Sequence, residues 1–128
     1  MKYELTFGLT RGKAFSGGSA AINENLAVSI LARTLGACGI DAATFIPCVG
    51  VWRGEVESSV RVEVWADDNA IGQGSEAIAD FTLRACVELQ QDCALVAIGQ
   101  RSTLVGHSDR LIEVERRIAA LDVRSEAS

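Results

Sequence analysis

The sequence predicts an α+β protein with a ferredoxin-like fold, in which the order βαββαβ builds an antiparallel sheet with both helices on one face. Three observations lead to this prediction. The chain opens with a strand of alternating polarity, two strand-like segments joined by a glycine turn follow in the middle, and a helix-like segment lies on either side of that hairpin. The hairpin argues against a wholly parallel sheet, since parallel neighbours need long crossover connections.

The first strand and first helix follow from the spacing of their apolar residues. Every second residue is apolar at the start of the chain, as in a strand with one buried face: Tyr3, Leu5, Phe7 and Leu9. A helix is predicted from Ser19 to about Leu35, because Gly36 is a favourable stop. Its apolar side chains spread around most of its circumference, which is more than one sheet face can cover.

The central hairpin is predicted from two strand-like segments that flank Arg53-Gly54-Glu55. Glycine at this point supplies the positive φ that a tight hairpin turn needs. Pro47 lies in the first of the two segments and cannot donate a ladder hydrogen bond, so that segment should be an edge strand or contain a bulge.

The second half of the chain predicts a helix from about Ser75 to Gln90 and a short apolar strand that begins at Cys93. The helix should bury a stripe at helical spacing: Ile78, Phe81, Ala85 and Leu89. A C-terminal amphipathic helix is then predicted from a second stripe, Leu111, Val114, Ile118 and Leu121. We therefore expect a ferredoxin-like domain over residues 1–106, and a helix with a frayed tail over residues 107–128.

Composition and charge narrow the class of protein. The 128 residues are 48% hydrophobic and carry a net charge of −5, which opposes binding to nucleic acid. No signal peptide and no stretch long enough to span a membrane is evident, so we expect a cytoplasmic protein with no membrane partner. The cysteines lack metal-ligand spacing and are expected to be free thiols: Cys38, Cys48, Cys86 and Cys93.

The loop between the first strand and first helix, "TRGKAFSGGSAAINEN", is the best candidate for a ligand site. Backbone N–H groups of its glycines and of the first helical turn could bind an anion, with nearby cations neutralising it. Its residue order matches neither phosphate-binding glycine motif. The simpler alternative is a turn followed by a helix that Ser16 or Ser19 caps.

The predicted topology brings this loop, the hairpin turn and the Gln90–Asp92 corner to one end of the sheet. The predicted ligand-binding residues are accordingly Arg11, Lys13, Ser16, Gly17, Gly18, Ser19, Arg53 and Glu55. Glu55 and Glu57 share one side of a strand and could serve in acid–base chemistry, although solvated charges are the simpler interpretation. His107 has no accompanying nucleophile and is expected to be a loop residue.

The function predicted from these features is a non-enzymatic, oligomeric module that binds a small anionic ligand, such as a nucleotide-like one, for regulation or sequestration. No metal and no cofactor is expected. Surplus apolar surface on both main helices and the C-terminal segment indicates a homo-oligomer, with the ligand in an inter-subunit cleft. Two alternatives stay open: a small cofactor-free enzyme that uses the same cleft through Glu55, Glu57 or His107, and a protein that serves only in protein–protein contacts.

Overall fold

A computed structural model describes residues 1–10, 21–52, 54–66 and 73–122. These residues form five strands and three helices in an α+β arrangement. The strands are β1 (Lys2–Gly8), β2 (Thr44–Trp52), β3 (Glu55–Trp65), β4 (Cys93–Ile98) and β5 (Arg101–Gly106). The helices are α1 (Glu24–Ala37), α2 (Gln73–Glu88) and α3 (Leu111–Ala119).

The sheet is antiparallel throughout, with the strand order β2-β3-β1-β4-β5. Its first four positions have the order expected of a ferredoxin-like sheet, so the predicted fold class is confirmed. β1 lies at the centre and pairs with β3 on one side and β4 on the other. Any segment that leaves the end of β1 is therefore flanked by the ends of both neighbours.

The core lies between the sheet and the three helices. Alternate residues of β1 and β3 point into it and are buried, as the two-residue period predicted. The predicted stripe of α2 is buried as well, with Ile78, Phe81, Ala85 and Leu89 at most 2% exposed. Phe7 and Phe81 meet edge to face, with ring centroids 5.9 Å apart, which is a favourable geometry for aromatic pairs.

β5 is an addition to the predicted fold. It pairs with β4 across a tight turn in which Gly99 has φ 59°. Only Val105 of this strand is buried, and its first residues, Arg101 to Thr103, are polar. An edge strand of this kind has too few apolar residues to give a clear alternating pattern, so the sequence prediction ended the sheet at β4.

The helix starts also differ from the prediction. α1 begins at Glu24, where the Asn23 side chain accepts a hydrogen bond from the Leu26 amide at 3.1 Å. Asparagine is among the best capping residues, so the predicted start at Ser19 was too early. α2 begins at Gln73, before Ser75, which was the predicted cap.

The hairpin and edge predictions are confirmed. Gly54 has φ 81°, in the turn between paired Trp52 and Glu55. β2, which carries Pro47, is an edge strand that pairs with β3 alone among the described residues. Because β1 pairs with β3 only from Ser59 onward, the outer part of the hairpin extends past the end of β1.

The connection into α3 is held by one carboxylate. Asp109 Oδ2 accepts hydrogen bonds from the Gly106 amide at 2.8 Å and from the Arg117 guanidinium at 2.6 Å. These two donors lower the Asp109 pKa.

Val114 and Ile118 are buried in the core, while Leu111 is 45% exposed and falls off the predicted stripe. The predicted frayed end, residues 123–128, lies outside the described residues.

None of the four cysteines, all within the described ranges, forms a disulfide. Cys86 is buried, and burial raises its thiol pKa to about 12. This side chain is therefore a protonated, apolar core group at neutral pH.

In the described part of the chain, no helix is both long enough and apolar enough to cross a bilayer.

Two leucines of α1 offer a matched test of the core. Leu31 is fully buried and Leu26 is 56% exposed. Leu31→Ala should lower the free energy of unfolding by about 2–5 kcal/mol, the usual cost of deleting a buried leucine side chain. Leu26→Ala should change it by less than about 1 kcal/mol. Urea denaturation followed by circular dichroism measures both, and equal effects would contradict the described helix orientation.

Candidate functional site

The end of β1 is where separate parts of the chain meet. The Leu9 amide donates to the Ser58 carbonyl oxygen at 2.9 Å, and the Ile22 amide donates to the Leu9 carbonyl oxygen at 2.7 Å. Thr10 and Ala21 form an antiparallel bridge. Thr10 and Ala21, which flank the candidate ligand segment 11–20, therefore both lie at the end of the sheet beside β3.

Gln91 joins a third segment to the same place. Its side chain is only 5% exposed, and its Nε2 donates to the Thr10 carbonyl oxygen at 2.9 Å and to the Leu89 carbonyl oxygen at 3.2 Å. The turn that delivers it from α2 includes Gln90 in a left-handed conformation, with φ 54°. The amide thus ties the approach to β4 to the base of the loop, across 81 positions of sequence.

Glu57 lies over Gly8. A Cβ atom built on Gly8 would lie 2.8 Å from Glu57 Oε1 and 3.0 Å from Gln91 Oε1. Both oxygens therefore converge on the space above the Gly8 backbone, on the sheet face opposite the helices. Any side chain at position 8 would compete with them for that space, so the pair depends on glycine here.

Two small polar groups continue this face toward the β2 edge. Ser59 is buried, and its Oγ lies 3.2 Å from Cys48 Sγ on the neighbouring strand. Farther along the same face, charged side chains pair with one another: Arg61 with Glu63 at 3.4 Å and Lys2 with Glu4 at 3.1 Å.

Seven of the eight predicted ligand-binding residues lie outside the described residues: Arg11, Lys13, Ser16, Gly17, Gly18, Ser19 and Arg53. Their positions stay a prediction. The eighth, Glu55, is exposed at the first position of β3, opposite Trp52. Glu57, which the sequence prediction considered only as an acid–base candidate, is the carboxylate that the structure brings to Gly8 and Gln91.

His107 lies at the other side of this end of the sheet. Its amide donates to the Asp92 carbonyl oxygen at 3.0 Å, and its Nδ1 lies 3.3 Å from the same oxygen. These contacts hold the turn after β5 against the start of β4. The contacts give His107 a structural role, which agrees with its prediction as a loop residue.

Two cavities of the described residues lie away from Glu57. A groove of about 600 Å³ runs along α2 and includes Arg84 and Asp109. Two of its charged side chains are paired within the chain, Arg84 with Asp80 at 2.9 Å and Asp109 with Arg117 at 2.6 Å. A second cavity of about 680 Å³ lies beside the chain start, near Gly99 and Leu121.

Metal-ligand clusters are absent from residues 1–10, 21–52, 54–66 and 73–122: no three His, Cys, Asp or Glu side chains there are grouped to hold an ion.

No protein-family model and no curated protein matches the chain. Two solved structures share its fold. A phage SAM lyase in complex with S-methyl-5′-thioadenosine matches with a TM-score of 0.60 and 14% sequence identity, over 82% of this chain and 88% of that chain. A phage SAM lyase in the apo state matches with a TM-score of 0.61 and 14% identity, over 85% of this chain and 90% of that chain.

These likenesses overturn the expectation of a non-enzymatic module, because both matched structures are of an enzyme. They favour instead the alternative that was left open, a small enzyme. The neighbour solved with S-methyl-5′-thioadenosine also binds a small nucleoside-like molecule, which agrees with the coarser expectation that this fold takes a small ligand.

Proposed function

We propose that this chain is a lyase that cleaves S-adenosylmethionine (SAM) and releases 5′-methylthioadenosine (MTA), in the cleft at the end of β1. The observation that carries this proposal is the likeness to phage SAM lyase over most of both chains, 85% of this one and 90% of the other. The converging Glu57 and Gln91 oxygens above Gly8 support the same location.

The charge of the substrate suits this end of the sheet. SAM bears a sulfonium and an ammonium group, and Glu57 supplies a half-buried carboxylate. Attraction between opposite charges is stronger near a protein surface than in bulk water. MTA carries neither cation, because its sulfur is an uncharged thioether, so the product is held less tightly than the substrate.

The proposed reaction is complete without a cofactor. The bond between sulfur and the four-carbon amino-acid chain breaks, and its electron pair stays on sulfur, which becomes neutral. As that bond breaks, the four-carbon chain either loses a proton from its β-carbon to a base, which forms an alkene, or closes to a lactone as its own carboxylate displaces the sulfur. Neither route consumes water or an oxidant, and the four-carbon product identifies which one operates.

The predicted loop and turn residues complete the proposed cleft. Arg11, Lys13 and Arg53 would neutralise the substrate carboxylate, while Ser16, Gly17, Gly18 and Ser19 would offer backbone and hydroxyl donors near it. Glu55 would lie at the outer rim. The chain enters and leaves residues 11–20 at Thr10 and Ala21, next to Glu57's strand, which supports this assignment.

Self-association and cytoplasmic location are parts of the same proposal. The extended end of the β2–β3 hairpin has three valines on one side, Val49, Val51 and Val56, each at least 71% exposed. A second copy of the chain that covers them would bury apolar surface that a single chain leaves exposed. Four cysteines without a disulfide are usual in a reducing compartment.

The purified protein should convert SAM to MTA without added metal or cofactor, as measured by liquid chromatography with mass detection. Glu57→Gln should lower kcat/KM by about 10- to 100-fold, the usual worth of a charged hydrogen-bond partner. Glu76→Gln is the matched control, since it makes the same change at the exposed first turn of α2, at the opposite end of the sheet.

Failure of the wild-type protein to release MTA from SAM would contradict the proposed activity. Equal losses in Glu57→Gln and Glu76→Gln would retain the activity but remove Glu57 from it. Glu55→Gln, measured in the same series, tests whether the outer carboxylate contributes.

The oligomer proposal predicts that the protein sediments at a multiple of one chain's 13.6 kDa at micromolar concentration. Val51→Glu places a charge among the exposed valines and should shift the population toward the single chain, because an unpaired charge is costly to bury. A wild-type protein that sediments at 13.6 kDa would refute self-association.

A further inference from the structure

We propose that the Glu57 carboxylate and the Gln91 carbonyl oxygen form a subsite for the α-ammonium group of the substrate. This inference rests on the proposed function and deepens it, because it assigns the amino-acid end of the substrate to the space above Gly8.

The Gln91 amide has a fixed orientation. Its Nε2 faces two backbone carbonyl oxygens, those of Thr10 and Leu89. Exchanging the amide nitrogen and oxygen would place Oε1 against both of these acceptors and lose both hydrogen bonds. Oε1 therefore points toward Gly8 and offers an acceptor to the cleft.

Glu57 differs from Glu4 and Glu63, the acidic residues farther along this sheet face. Glu4 and Glu63 are paired with Lys2 and Arg61, at distances of 3.1 to 3.7 Å. No cation among the described residues pairs with Glu57. Its carboxylate is held beside a second acceptor, Gln91 Oε1, over a backbone without a side chain.

Two adjacent oxygen acceptors, one of them charged, select a particular ligand chemistry. An ammonium group offers three N–H donors and a positive charge, so it can satisfy both oxygens at once. A carboxylate or phosphate would be repelled by Glu57, and a lone hydroxyl offers only one donor. The geometry thus fits an amino group.

The charge of the ammonium also makes it a better partner for Glu57 than the sulfonium. The sulfonium charge fades as the carbon–sulfur bond breaks, so a carboxylate against sulfur would stabilise the substrate more than the transition state. The ammonium keeps its charge throughout the reaction. Contact there anchors the departing four-carbon chain without opposing cleavage.

Two nucleosides with an uncharged sulfur atom allow the contact between the ammonium group and the Glu57 and Gln91 oxygens to be measured by itself. MTA has a methyl group on sulfur, whereas 5′-deoxy-5′-(3-aminopropylthio)adenosine has a propylammonium chain and no carboxylate. Wild-type protein should bind the amine more tightly than MTA by about tenfold or more in isothermal titration calorimetry, as expected for a charge-assisted hydrogen bond. Glu57→Gln should reduce this ratio to near one, and Gln91→Met should reduce it by a smaller factor, because the Glu57 carboxylate stays in place.

The ratio separates binding from a structural role. If Gln91 only braces the loop through Thr10, Gln91→Met should weaken both nucleosides equally and leave the ratio unchanged. Glu76→Gln should also leave it unchanged, and thermal denaturation identifies any variant that is unfolded. A ratio preserved in the folded Glu57→Gln protein would overturn the inference while the proposed activity stands. A wild-type protein that binds MTA, the amine and SAM not at all would overturn both.

Discussion

The two-sided pairing of β1 is the constraint on which the rest of the structure depends. As the central strand it pairs with β3 along its whole length and with β4 from Glu4 to Thr6, and its inward residues form the middle of the core. Its position cannot shift without moving both neighbours and exposing that core. The point where β1 ends is therefore fixed, and the segments that meet there are held by backbone contacts to Leu9 and Thr10. A rigid frame of this kind can hold functional groups that arrive from distant parts of the sequence.

The candidate site follows from this frame. β3 continues past the end of β1 and carries Glu57 over Gly8, while the turn after α2 carries Gln91 to the same place. The result is one charged and one neutral oxygen acceptor above the Gly8 backbone, beside Thr10, whose carbonyl oxygen accepts from Gln91. Such a site can bind and orient a cationic substrate. The proposed cleavage of SAM needs little beyond binding and orientation, because the sulfonium is already an activated leaving group. The proposed reaction therefore needs no metal and no cofactor, because the substrate itself supplies the activated leaving group.

The sequence was most informative where burial imposes a period. β1, the hairpin turn at Gly54 and the stripe of α2 were all predictable, because one buried face repeats every two residues in a strand and recurs at i, i+3 and i+4 in a helix. β5 was not, since an edge strand with one buried residue has no such period. Glu57 and Gln91 could be placed at the right end of the sheet from topology alone. Their convergence over Gly8 could not, because it depends on the overhang of β3 and on the two carbonyls that orient the Gln91 amide. Gly8 can be identified as part of the site only once the positions of Glu57 and Gln91 are known.

The proposals above all require a nucleoside ligand to bind at the end of β1. Adding MTA to ¹⁵N-labelled protein and following the backbone amide shifts by NMR tests this binding. The largest changes should occur at Gly8, Glu57 and Gln91 and should saturate with one ligand per chain. Changes concentrated instead along the α2 groove, at Arg84 and its neighbours, would contradict it.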